Sequence, residues 1–256
     1  MMMRRFSLLG PALALALLLC APALAAQRTE ERGWALSSDG MVKIFNFVGS
    51  IRVVGWDRDS VAVTASYPAG LRIFGGGDRN ALKFGIEGEQ RGPEHSASLV
   101  VHLPANANVW VRGAATTVDI EGLIGIVDVG TVGGALRVRG SPRVLTAETM
   151  NGPLEVEGSP EVFRATTGTG ELRWNGAARD ATLSTVSGAL IVSGGPLGHA
   201  RLTSVAGNVR LRGSLRTDGE VAIETHSGNI DVALPKSNLK RVTARTFKGT
   251  IRLAEH

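Results

Sequence analysis

From Val109 onward, apolar and polar residues alternate in short runs that return at a nearly fixed interval. A glycine marks each return: Gly134, Gly152, Gly170, Gly188, Gly207, Gly228 and Gly249, spaced by 18, 18, 18, 19, 21 and 21 residues. Three residues before each stands a hydroxyl, in Thr131, Thr149, Thr167, Thr185, Ser204, Thr225 and Thr246. Two and four residues after it come apolar positions, from Leu136 and Val138 to Ile251 and Leu253. Five and seven residues before it lies a second apolar pair, from Val129 and Val127 to Ala244 and Val242. Residues two apart share one face of a strand. Each unit therefore reads as strand, Thr/Ser turn with glycine, strand, and a closing turn such as Gly140-Ser141-Pro142 or Gly158-Ser159-Pro160.

Two strands and two turns in 18 to 21 residues make one short coil. A single coil cannot bury its own apolar face, so its stability must come from neighbours stacked roughly 4.8 Å away. The pattern predicts an all-β, single-domain β-solenoid, like a parallel β-helix or β-roll, of roughly nine or more coils. Residues 109–256 hold the regular coils and residues 26–108 irregular ones with insertions. Upstream of Thr131 the repeat continues in degraded form: Val109, Val111, Thr116, Val118, Ile120 and Gly122 keep the register, with Thr116 in place of the turn glycine, and so do Val42, Ile44, Asn46, Gly49, Ile51, Val53 and Gly55. The stretch between these two units alternates more loosely and contains the turns Gly75-Gly76-Gly77-Asp78 and Arg91-Gly92-Pro93, which suggest hairpins.

Residues 46–61, Asn46-Phe47-Val48-Gly49-Ser50-Ile51-Arg52-Val53-Val54-Gly55-Trp56-Asp57-Arg58-Asp59-Ser60-Val61, resemble the opening motif of a large bacterial family known as putative adhesins, a domain of unknown function. The Thr-Xaa-Xaa-Gly-Xaa-Leu-Xaa-Val units and the Leu103-Pro104 before the regular coils resemble it too. The resemblance spans nearly all of the chain after its leader. It implies an exported β-solenoid and transfers no catalytic residue, because fold alone does not supply function.

Composition fits the repeat. The 33 glycines among 256 residues are nearly double the average share of about 7%, and the turn columns account for many of them. Left-handed φ at those turns is the expected reason. Aromatics make up only 5% of the chain, as a thin core of stacked Val, Leu and Ile would leave little room for rings. The first segment differs. Arg4 and Arg5, the apolar run Leu8 to Leu19 and Ala23-Leu24-Ala25 read as a secretory signal over residues 1–25, ending at a peptidase site. Lipidation at Cys20 is disfavoured by Leu19 before it, and a twin-arginine signal by Ser7. Removing residues 1–25 takes two of the 28 Lys/Arg and none of the 23 Asp/Glu, so net charge falls from +5 to +3. Cys20 leaves as well, and no transmembrane segment remains in the mature chain. The expected address is the periplasm or the cell surface.

Candidate chemistry is sparse. The hydroxyl column could bind ice only as a dense flat Thr face, whereas one hydroxyl per coil fits a bond to local turn backbone. Outward positions alternate in sign, as in Arg137, Glu155 and Arg173, which pairs opposite charges between coils and steadies register. Asp119, Glu121, Asp128, Glu155 and Glu157 are the acids near enough in sequence for a glycosidase pair, without an evident cleft. The five histidines lack ligand spacing, and no metal or other cofactor is implied. Lys236, Lys240, Arg241, Arg245, Lys248 and Arg252 form an acid-free run that either guards the last strand edge or meets an anionic envelope partner. Nucleic acid is excluded for an exported chain without a stacking surface of aromatics.

These features support a non-catalytic structural or adhesin-like solenoid touching envelope polysaccharide, lipid or protein. The alternative is a carbohydrate-binding or carbohydrate-active β-helix. End-to-end self-association is a third reading. The parity of the columns makes a first prediction. Leu172→Asp, which buries an unpaired charge, should collapse the thermal transition, and Arg173→Ser should barely move it; similar losses in both melting curves would contradict the inward assignment.

Overall fold

The computed structural model describes residues 27–255, so the secretory-signal reading of residues 1–25 falls outside the described residues. The irregular part of the chain forms β1 (Arg28–Ala35), β2 (Met41–Trp56), β3 (Ser60–Tyr67), β4 (Arg72–Gly77), β5 (Ala81–Glu87), β6 (Ala97–Pro104) and β7 (Asn108–Glu121). Short strands follow: β8 (Ile126–Thr131), β9 (Leu136–Arg139), β10 (Val144–Thr149), β11 (Leu154–Glu157) and β12 (Val162–Thr167). Longer ones come next, β13 (Leu172–Thr185), β14 (Leu190–Ser204) and β15 (Val209–Thr225), before β16 (Ile230–Leu234), β17 (Val242–Thr246) and β18 (Ile251–Glu255). The result is a β-solenoid.

Each coil contributes one strand to each of two facing sheets. In the first, the front half of β7 pairs with β8, β8 with β10, β10 with β12, and so on through the rear halves of β13, β14 and β15 to β17, all parallel. In the second, the rear half of β7 pairs with β9, then β11, β13, β14, β15, β16 and β18. Like positions lie in register, so Leu136, Leu154, Leu172, Leu190, Val209, Ile230 and Ile251 form one ladder. Up to Ile230 these side chains are buried; in the last coil Ile251 is 43% exposed.

Coil order departs from chain order at the N-terminal end. β2 pairs with β7 on one side, but its other side is taken by the later strands β5 and β6. The chain leaves β2, builds this preceding layer, and then crosses over to resume at β7. Antiparallel strands close the end: β3 lies between β6 and β1, and β4 pairs with β5. Here the Tyr67 hydroxyl donates to Glu30 Oε2 at 2.6 Å, which holds the Glu30 carboxyl below its ordinary range and raises the phenol. Trp34 stacks on Phe84, with ring centroids 5.5 Å apart.

Two composition readings need correcting. The Thr-Xaa-Xaa-Gly glycines from Gly134 to Gly249 do not adopt left-handed φ; that conformation occurs in the other turn column, at Gly140, Gly158, Gly194 and Gly213. In the first column the requirement is space. A Cβ on Gly152 would strike the carbonyl oxygen of Gly134, one on Gly170 that of Gly152, and one on Gly188 that of Gly170. The hydrogen that stands in the Cβ direction can meet that oxygen in a weak Cα–H···O contact. The core also admits rings: Phe163 and Trp174 are fully buried with centroids 5.1 Å apart, beside the small Ala165 and Ala181. Trp174 Nε1 donates to the carbonyl of Gly158 at 3.1 Å.

Gly152→Ala should therefore cost about 2–3 kcal/mol, since the clash is with backbone, and lower the melting midpoint by roughly 5–10 °C. Gly133→Ala, where a Cβ meets nothing within 4 Å, should leave it in place. Calorimetry on the two variants checks this.

Candidate binding surfaces

The hydroxyl column turns inward at the corner between the sheets. Thr131, Thr149, Thr167, Thr185, Ser204 and Thr225 are all buried. Thr131 Oγ1 donates to the carbonyl of Ala114 at 2.7 Å and Thr167 Oγ1 to that of Gly170 at 2.9 Å. Thr149, Ser204 and Thr225 instead accept from the amides of Gly152, Gly207 and Gly228, at 3.1, 2.8 and 3.0 Å. Thr185 and Thr246 donate to the carbonyls of Gly168 and Gly228. In the β7 coil the two positions are exchanged: Gly113 stands in the hydroxyl column, and Thr116, in the glycine column, donates to the carbonyl of Asn46 at 2.6 Å. These hydroxyls are hydrogen-bonded to backbone at the turns.

The acids near one another in sequence are each drawn to an arginine of another coil. Arg137 meets Glu155 at 3.0 Å, Arg139 meets Asp119 at 3.3 Å and Glu157 at 3.8 Å, and Arg52 meets Glu121 at 3.2 Å. Asp128 lies 2.7 Å from Arg112. Such partly exposed pairs are each worth roughly 0–1 kcal/mol. Among the described residues, no three His, Cys, Asp or Glu side chains converge as metal ligands would.

The basic run is distributed around the last coil. Lys236 lies in the helical turn α1 (Lys236–Leu239), Arg245 on β17, Lys248 in the opposite turn and Arg252 on β18 of the other sheet. Lys240 and Arg241 alone share a groove, of about 510 Å³, and there Asp180, His199 and Glu220 stand beside them. The Arg241 guanidinium donates to the backbone carbonyls of Arg216 and Thr217. Asp231 is the register partner of Arg252. The acid-free run in sequence is thus a mixed-charge rim in space.

Two outward features escaped the column analysis. The residue after each hydroxyl projects from the corner: Val132, Met150, Val186, Val205 and Phe247 are 51–73% exposed, and Phe47 continues the line at 56%. This ridge follows the stack of coils, interrupted at Ala114 and Gly168 and joined by His226, whose ring stacks on Phe247 at 5.1 Å. Reading the position after the hydroxyl would have found it. The second feature is a set of rings outside the first sheet, Phe45, Phe74 and Trp110, which removes the premise that no aromatic surface exists. Phe45 and Trp110 have outward parity in the sequence, whereas Phe74 joins them only through the fold-back of residues 57–107.

No family model matches the sequence, and no curated protein matches it. Solved structures do match. A putative adhesin from Parabacteroides distasonis ATCC 8503 superposes with a TM-score of 0.54 at 14% identity, over 88% of this chain and 97% of that one. A putative adhesin from Bacteroides fragilis NCTC 9343 gives 0.52 at 13% identity, over 91% and 99%. The chain has the fold of these adhesin-named proteins. That agrees with the resemblance drawn from residues 46–61, and at this identity the likeness concerns the fold.

The buried hydroxyls give a third prediction. Thr167→Val keeps the shape and removes the bond to Gly170, so it should cost about 1 kcal/mol in urea unfolding. Thr166→Val, on the exposed face of the same strand, should stay within about 0.5 kcal/mol.

Proposed function

We propose that the mature chain is an exported, non-catalytic, adhesin-like rod that docks onto a protein of the cell envelope along its side. The apolar ridge from Phe47 to Phe247 carries this reading. Six exposed apolar side chains align along one corner, and large exposed apolar features of soluble proteins usually mark interaction sites. The ridge is flanked by Glu148 and Glu224 as well as by Arg245 and Lys248, so its field does not select an anionic lipid surface. A protein face with an apolar groove suits it better. The adhesin-named structures with the same fold support the reading, as does the secretory character of residues 1–25. No described helix is long and apolar enough to cross a membrane.

The test is co-sedimentation of the purified mature chain with envelope membranes, before and after their surface proteins are shaved by protease. We expect sedimentation with intact envelopes, loss after shaving, and loss when Val132, Met150, Val186 and Val205 are all changed to Ser. That variant should melt near the parent temperature, because the positions are exposed. Sedimentation that is absent from the start, or that survives shaving, overturns the proposal.

A further inference from the structure

Beside the N-terminal end of this ridge, rings and lysines gather on the outer face of the first sheet. Phe45 on β2 lies edge-on to Trp110 on β7, with centroids 5.2 Å apart, and 6.4 Å from Phe74 on β4. Part of this cluster serves the fold. Gly85 of β5 is register partner to both Phe45 and Phe74 and is buried between them, so the two rings cover a bare stretch of backbone. That role does not account for the lysines. Lys43 and Lys83 are register partners on adjacent parallel strands, both exposed, with their like charges side by side. Such a pairing is destabilising, and elsewhere on the rod the outward charges alternate in sign, as in Arg137 with Glu155 and Arg210 with Asp231.

Nearby acids do not relieve it, since Glu87 is paired with Arg72 and Asp128 with Arg112. Lys83 Nζ stands 5.1 Å from the Phe45 ring centroid and 5.9 Å from that of Phe74, held by the negative ring faces. Phe45, Phe47, Phe74, Lys83 and the Arg72-paired Glu87 line a shallow depression of about 270 Å³, with Trp110 and Lys43 beside it.

We propose that this patch binds an acidic glycan. The apolar face of a pyranose ring packs in the depression against Phe45 and Phe74, while its carboxylate, sulfate or phosphate group accepts charge-assisted hydrogen bonds from Lys43 and Lys83. An anion there removes the lysine–lysine repulsion, which a neutral sugar leaves in place. A single-stranded nucleic acid needs a cationic track along its backbone, and the next cation on the face, Arg112, is already matched by Asp128 and stacked 4.2 Å from the Trp110 centroid. The site rests on the adhesive reading only for its role in the cell; its binding is measured separately.

The experiment applies the labelled mature chain to an array of purified glycans, in which carboxylated, sulfated and phosphorylated members are printed beside their neutral counterparts. The strongest acidic member is then titrated. We expect neutral counterparts to bind at least tenfold more weakly. The double variant Lys43→Gln/Lys83→Gln should lose at least tenfold in affinity, and Arg164→Gln/Arg201→Gln, exposed side chains towards the far end of the rod, should stay within twofold. The lysine variant should melt at or slightly above the parent temperature, since it removes the like-charge pairing, and the control variant at the parent temperature. The proposal is overturned if no acidic glycan binds, if neutral members bind equally, or if the far-end variant loses as much. Poly(dT) binding as tightly, with the same dependence on Lys43 and Lys83, would make the patch a nucleic-acid site instead. The serine ridge variant retains both lysines, so failure of the glycan assay and failure of the envelope assay are read independently.

Discussion

The solenoid depends on how closely one coil can approach the next at its corners. Along the strands, the backbone ladder sets a spacing of roughly 4.8 Å, and side chains of almost any size can follow it. At the Thr-Xaa-Xaa-Gly corner, each glycine carbonyl points at the α-carbon of the glycine one coil on. A side chain there would push the coils apart and break the ladder on both sheets together. The hydroxyl three residues earlier supports the same corner by meeting turn amides or carbonyls that lie inside the stack. In the β7 coil the residues are exchanged: Thr116 fills the glycine column and donates to the Asn46 carbonyl, and the bare α-carbon is moved three residues earlier, to Gly113.

Most of this architecture is legible in the sequence because stacking turns a spatial ladder into a period. Leu154, Leu172 and Leu190 are neighbours in space and lie 18 residues apart in the chain, so a count recovers the register. The count fails where order along the chain and order in space diverge. Nothing local in residues 57–107 states that β5 and β6 lie on the far side of β2, or that β4 brings Phe74 beside Phe45. Glycine was legible as a turn residue, but not which constraint it answers: Gly152 needs only an absent Cβ, whereas Gly158 needs left-handed φ as well. The basic run misled for a related reason. Neighbours in sequence wind around a coil, so Lys236, Arg245 and Arg252 reach different sides of the rod.

The repeating interior and the variable exterior divide the labour. Inward columns hold one chemical type over many coils, whereas outward columns change from coil to coil, and there binding character can vary without disturbing the stack. Outward charges are mostly matched within the rod, as the Arg137–Glu155 and Arg139–Asp119 contacts show. Against that background, an unmatched lysine pair and a line of exposed aliphatic side chains stand out as features the fold does not require.

The displaced position of β2 bears on how the chain assembles. β2 is made early, yet both of its flanking layers are made later, β5 and β6 first and β7 last. A nascent chain therefore holds one edge of β2 open until about residue 104 and the other until about residue 121 has emerged, and the contacts closing them span up to 70 residues. Closing such loops is entropically expensive and slow. From β8 onward, each new coil needs only the one just completed, so growth becomes local and stepwise. The N-terminal end is thus the part of the fold whose closure is least local, and the interval before it closes is when the chain is most exposed to mispairing.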